Sequence, residues 1–127
     1  MKLKPVLVTA SIYLGLVGLA ILFVPRYFGV GAVPPGASPA LIAVLRIFSG
    51  LCIGIAALNW LIRDAEPSRV VDAVVLGNIV GFGLVAANDV WGVFSGEARE
   101  AAKVFLVVHL LFTFAFIAAR RNTRRPV

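Results

Sequence analysis

The chain is poor in the residues that carry most protein chemistry. Its 127 residues include one cysteine, one methionine and one histidine. A single cysteine excludes an internal disulfide, so Cys52 reads as a small apolar residue inside a hydrophobic run. With one histidine, one cysteine and no carboxylate near either at ligand spacing, the sequence holds no zinc or iron constellation. The stretch Gly77-Asn78-Ile79-Val80-Gly81-Phe82-Gly83 lies within a hydrophobic run, not at a strand-to-helix turn, which argues against a phosphate loop. Ser11, Ser38, Ser49 and Ser95 are scattered, and none is tied by spacing to His109. No catalytic residue is therefore assigned, and enzyme activity is not expected. Charge is scarce as well: Asp, Glu, Lys and Arg make up 14% of the chain, where a soluble domain carries about a quarter.

What fills the chain instead is apolar. Hydrophobic residues reach 61%, and the mean hydropathy is +0.99. A soluble domain of this size keeps too much surface exposed to hide that composition, and a disordered chain would be polar. An integral membrane protein remains. Four apolar runs appear, at about 5–24, 39–62, 70–91 and 101–119. Each approaches the roughly 20 residues that cross the hydrocarbon as a helix. Helix is the conformation that satisfies every backbone polar group within its own segment. The expectation is a single all-α transmembrane domain over residues 1–127, a four-helix bundle of up-down-up-down topology.

Local signals mark the ends. Ser38-Pro39 offers a capping hydroxyl followed by proline at the first helical position, and Ser68 caps the third helix in the same way. Asp72 falls in that helix's first turns, where the dipole favours a carboxylate. Gly29, Gly31, Pro34, Pro35 and Gly36 punctuate the first loop. Lys2 and Lys4 precede the first run as in a secretory leader. However, that run exceeds a leader core, and the nearest small-x-small site, Val30-Gly31-Ala32, lies well past it.

Twelve basic residues oppose six acids, a net charge of +6. They flank the apolar runs rather than forming a basic face with interleaved aromatics, so nucleic acid is not the expected partner. With the amino terminus inside, Lys2, Lys4, Arg63, Arg69, Arg120, Arg121, Arg124 and Arg125 lie inside; Arg26, Arg99 and Lys103 lie outside. That bias predicts both termini in the cytoplasm, with the arginine-rich tail against anionic headgroups. Trp60 and Trp91 fall near span ends, where interfacial aromatics sit. Small residues recur four apart: Gly50, Gly54 and then Ala57; Ala73, Gly77 and Gly81; Ser11 and Gly15. Inside lipid such stripes allow close helix approach, and the expectation is that they are the packing faces of the bundle within this chain; the same motif also supports a homo-oligomer.

Arg46 lies about two turns into the second span, too deep for easy escape to the near surface. A charge at such depth costs at least about 2.5 kcal/mol, so a partner is expected. Asp89, near the outer end of the third span, is the expected partner, with Asn88 and Asn78 on the same helix. His109 on the fourth span, with Thr113 a turn further on, and Tyr13 on the first, with Thr9 a turn below, reach comparable depth. Tyr13, Arg46, Asn78, Asp89 and His109 thus form a candidate outer-half polar layer. It is either a structural clasp that fixes helix pairing or the lining of a small site for a lipid, quinone or anion. A haem or quinone at His109 is a third, weaker alternative; two histidine ligands to haem would need a second chain.

The four short-looped spans, the Phe23-Val24-Pro25 end of the first, Leu45-Arg46 in the second, and its continuation Gly50-x-x-x-Gly54 together resemble the small bacterial four-span proteins grouped as DoxX-like. Some of those are similar to subunits of quinone-linked oxidoreductase systems. The resemblance extends over about the whole chain and implies an accessory membrane subunit located in a bacterial inner membrane; it carries over no catalytic residue. The leading expectation is a non-enzymatic accessory or structural subunit that docks other membrane subunits. A small-molecule binder or transporter is the alternative.

Overall fold

A computed structural model describes residues 2–28 and 31–123. Gly29 and Val30 of the first loop, and Arg124 and Arg125 of the basic tail, lie outside the described residues. The fold is all-α, with four helices: α1 (Leu3–Phe23), α2 (Pro39–Leu61), α3 (Arg69–Ser95) and α4 (Ala102–Thr123). All four are long and apolar enough to cross a bilayer, and the chain is a multi-pass membrane protein.

The helix ends follow from the sequence. Pro5 stands in the first turn of α1, where a missing N–H costs nothing. The Ser38 hydroxyl accepts from the Leu41 N–H and that of Ser68 from the Val71 N–H, both at 3.2 Å. Ser68 is extended, with φ −151°, as a capping residue must be. α3 runs on to Ser95, four residues past the expected limit at Trp91, because Gly96 at φ +76° supplies the left-handed stop. α4 likewise continues to Thr123, beyond the apolar run. Arg120 and Arg121 in its last turn suit the negative end of the dipole.

The chain divides into two compact units, Val8–Leu61 and Met1–Leu7 with Ile62–Val127. In the first, α1 and α2 are antiparallel. The Ser11 hydroxyl donates to the Ala56 carbonyl at 2.7 Å, and Gly15 faces the same alanine. Gly18 meets Ile53 and Ser49 more closely still, and one turn on the Leu22 carbonyl receives Arg46. Arg26 ties the loop by donating to the Pro35 and Ala37 carbonyls.

The second unit is centred on the α3/α4 hairpin. Gly92 and Ala98 close its turn, with the Ala98 N–H donating to the Gly92 carbonyl at 2.8 Å. A Cβ on Gly92 would lie 3.2 Å from that of Ala98, so glycine suits the turn. Along the hairpin Phe82 stacks on Phe112, with centroids 4.7 Å apart, and on Phe116 at 6.0 Å. Towards the chain termini, Arg120 holds Asp72 through two bonds, Nε to Oδ1 at 2.7 Å and Nη2 to Oδ2 at 3.0 Å. A forked guanidinium–carboxylate contact fixes geometry as well as charge. It gives Asp72 a role beyond the dipole interaction expected from its position.

At the same end Lys4 pairs with Asp64, and Arg63 lies 3.4 Å from that carboxylate. The hydrogen bond from Lys4 holds the Asp64 carboxyl below its ordinary range. Lost hydration opposes this, and the charges of Lys4 and Arg63 add to it. A depressed folded-state pKa contributes stability that is present above the unfolded value, about 4, and lost as pH falls through the folded one. The difference in melting temperature between the wild type and Asp64→Asn is therefore expected at pH 6 and absent near pH 2 in detergent. An unchanged difference across that interval would show that the ion pair adds nothing to folding.

The small-residue stripes divide into two groups. Ser11 and Gly15 sit on a packed face. A Cβ placed on Gly50, Gly54, Gly77 or Gly81, by contrast, meets nothing within 4 Å. Gly50, Gly54, Ala57, Ala73, Gly77 and Gly81 are all exposed. The expectation that these two stripes pack inside the chain is corrected: the close approach in the α1/α2 pair is made at Gly18.

Candidate functional site

The polar side chains expected to share one layer take partners as follows. In α3 and α4, His109 Nδ1 lies 2.6 Å from Asp89 Oδ2. Both side chains are largely withdrawn from their surroundings, at 13% and 15% exposure. The aspartate fixes the imidazole through one ring nitrogen, which sets the orientation of the other. Phe82 and Phe105 flank the ring at centroid distances of 6.2 and 6.4 Å. Arg99 covers the far side of this aromatic group, its guanidinium carbon 5.7 Å from the Phe105 centroid. Thr113, a turn beyond His109, donates to the His109 carbonyl at 2.8 Å.

Arg46 does not take the carboxylate expected for it. Its Nε donates to the Leu22 carbonyl at 3.3 Å, and the side chain is exposed. The physical reason is local: Leu22 lies near the end of α1, whose last carbonyls have no acceptor role within the helix, and the antiparallel α1/α2 pair brings one beside Arg46. Its own carbonyl accepts from the Ser49 hydroxyl at 2.6 Å. Asn78 is buried, and its amide donates to the Val74 carbonyl one turn earlier in the same helix, at 2.9 Å. Tyr13 is half-buried in α1. The expected Arg46–Asp89 pair is thus replaced by an Arg46–Leu22 bond in one unit and an Asp89–His109 pair in the other.

Sequence reading did not single out the aromatic surround of His109 or the Asp72–Arg120 fork. Both were within reach of a simple signal. In a hairpin with a short turn, residues equally far from the turn meet. Asp89 and His109 fall at nearly equal distances on either side of Ala98, as do Phe82 and Phe116, while Asp72 and Arg120 are offset by one turn.

Chemically, the pair joins a proton-binding imidazole to a carboxylate in an apolar surround. It can hold a proton, orient the ring, and fix α3 against α4. No group of three His, Cys, Asp or Glu side chains that would hold a metal occurs among the described residues. Compared with family models, curated proteins and solved structures, the chain matches none.

Proposed function

We propose that this chain is a non-enzymatic accessory or structural subunit of a membrane complex, in a bacterial inner membrane with both termini cytoplasmic. The observation that supports it is the open face of α2 formed by Arg46, Gly50, Gly54 and Ala57. These positions share one side of the helix, all are exposed, and the two glycines have nothing opposite them. Glycines in a lipid-facing helix position cost backbone entropy without gaining contact, whereas a docking helix would use them for close approach. Arg46 on the same face offers a cation to a carboxylate or polar group at matching depth. The accessory role is also what the resemblance to DoxX-like proteins implies, and the excess of basic residues on the terminal side gives the orientation.

The test is affinity purification of the tagged full chain in mild detergent. A second protein is expected to co-elute in fixed ratio. Gly54→Leu is expected to reduce its yield at least about tenfold while leaving the melting temperature unchanged, because nothing in the chain lies against that position. Co-elution unaffected by Gly54→Leu would reject this face, and a chain that elutes alone or only with itself would reject the accessory role.

The Asp89–His109 pair favours a second reading, a binder or carrier of a small lipid-soluble molecule such as a quinone. An intramembrane ionisable pair is a recurrent feature of such sites.

A further inference from the structure

We propose that an anionic phospholipid headgroup binds in the groove between the amino-terminal end of α1 and the last turn of α4. The groove is a shallow, open one of about 440 Å³, lined by Lys2, Leu3, Asn122 and Thr123. Its chemistry is that of a headgroup seat: the Lys2 ammonium for the phosphodiester and, at Leu3, an apolar wall where the glycerol would enter the hydrocarbon; the Thr123 hydroxyl is already engaged, donating to the Arg120 carbonyl at 2.9 Å. It lies at the ends of two helices that cross the bilayer, where phospholipid phosphates are the abundant anions.

The charge arrangement at this end singles out Lys2. Among the described residues, Lys2, Lys4, Arg63, Arg69, Arg120 and Arg121 are opposed by Asp64, Glu66 and Asp72, a surplus of three positive charges. Two of the carboxylates are already engaged: Asp64 by Lys4 and Arg63, and Asp72 by Arg120. Among the described residues of this end, Lys2, Arg69 and Arg121 have no carboxylate within ion-pair distance. Lys2 lines the groove, and Arg121 immediately precedes Asn122. Lys2 is therefore the unpaired ammonium that the groove presents to an anion, whereas Lys4, two residues away, is committed to Asp64. The inference does not depend on the accessory-subunit reading, because that reading rests on the exposed face of α2, which shares no residue with this groove.

The experiment titrates the purified full chain, in a neutral detergent, with phosphatidylglycerol or phosphatidylcholine and reads the midpoint of the shift in melting temperature. Phosphatidylglycerol is expected to stabilise the protein and phosphatidylcholine not. Lys2→Gln is expected to weaken the phosphatidylglycerol midpoint about fivefold, and Lys2→Gln with Arg121→Gln further. Lys4→Gln, which removes the same charge from the same end, is expected to leave the midpoint unchanged. Equal effects of the two lipids overturn the proposal. So do equal losses in Lys2→Gln and Lys4→Gln, which would mean a diffuse field without a seat. Displacement of phosphatidylglycerol by millimolar glycerol phosphate would mean a site for a soluble anion, and would also overturn it.

Discussion

Replacing Gly18 by leucine is expected to destabilise the α1/α2 pair by about 3 kcal/mol or more, and Gly18→Ala by about 1–3 kcal/mol. A Cβ at this position would stand 2.6 Å from Ile53 Cγ1, 3.1 Å from the Ser49 carbonyl oxygen and 3.2 Å from the Ile53 nitrogen. The isoleucine can turn away, but the backbone atoms of α2 cannot, so the helices must separate. Separation weakens the bonds on either side, Ser11 to Ala56 and Arg46 to Leu22, which depend on the same closeness. Gly50→Leu is the control, because its Cβ meets nothing, and it is expected to leave unfolding unchanged. The check is reversible denaturation in mixed detergent, with Ile53→Ala added to Gly18→Ala. Removing Cγ1 relieves one of the three contacts, so the two substitutions together are expected to cost less than their sum. A Gly18→Leu protein that unfolds with the wild type would show that the helices do not meet there.

The same glycine shows where sequence is informative and where it is not. Span number, capping serines and the loop glycines were legible because each signal is local. A serine before a proline, or an apolar run of twenty residues, needs no knowledge of what lies opposite. Gly18 was not legible, because it stands three residues from Gly15, outside the four-residue stripes, whereas the stripes at Gly50/Gly54 and Gly77/Gly81 that do have that spacing face open space. Small-residue spacing states that approach is possible, and the neighbour decides whether it happens. The ends of α3 and α4 moved outward for a related reason. Hydropathy falls where the chain leaves lipid, but a helix stops only at a residue such as Gly96 that ends it. Depth alone does not identify the partner of Asp89. Depth makes Arg46 and His109 equal candidates. Connectivity separates them, since α3 and α4 share a short turn and residues equidistant from it come together. That rule was present in the sequence, whereas the carbonyl that receives Arg46 depends on how α1 ends and was not.

The Asp89–His109 pair yields the second large effect, and its two single substitutions are expected to differ. His109→Phe leaves a carboxylate among Phe82, Phe105 and apolar helix faces, where it must either stay charged or take up a proton. Breaking a buried pair from that side is expected to cost about 3 kcal/mol. Asp89→Ala leaves an imidazole, which can shed its proton and persist as a neutral group, so a smaller loss of about 1–2 kcal/mol is expected. The usual interhelical hydrogen bond in lipid, about 0.6 kcal/mol, is too small a guide here, because the contact is short and both side chains are mostly covered. Replacing both, Asp89→Leu with His109→Phe, removes the unmatched polar group together with its partner and is expected to restore most of the wild-type stability. Equilibrium unfolding of the four proteins gives the coupling, and additive losses would show that the two side chains do not act as a pair. The double variant also separates the two roles open to this site. If it folds and keeps the co-elution expected of the proposed accessory subunit, the pair is a clasp that any well-packed apolar contact can replace. If it folds but no longer binds a lipid-soluble ligand that the wild type retains, the proton and the polarity of the pair are what the site is for.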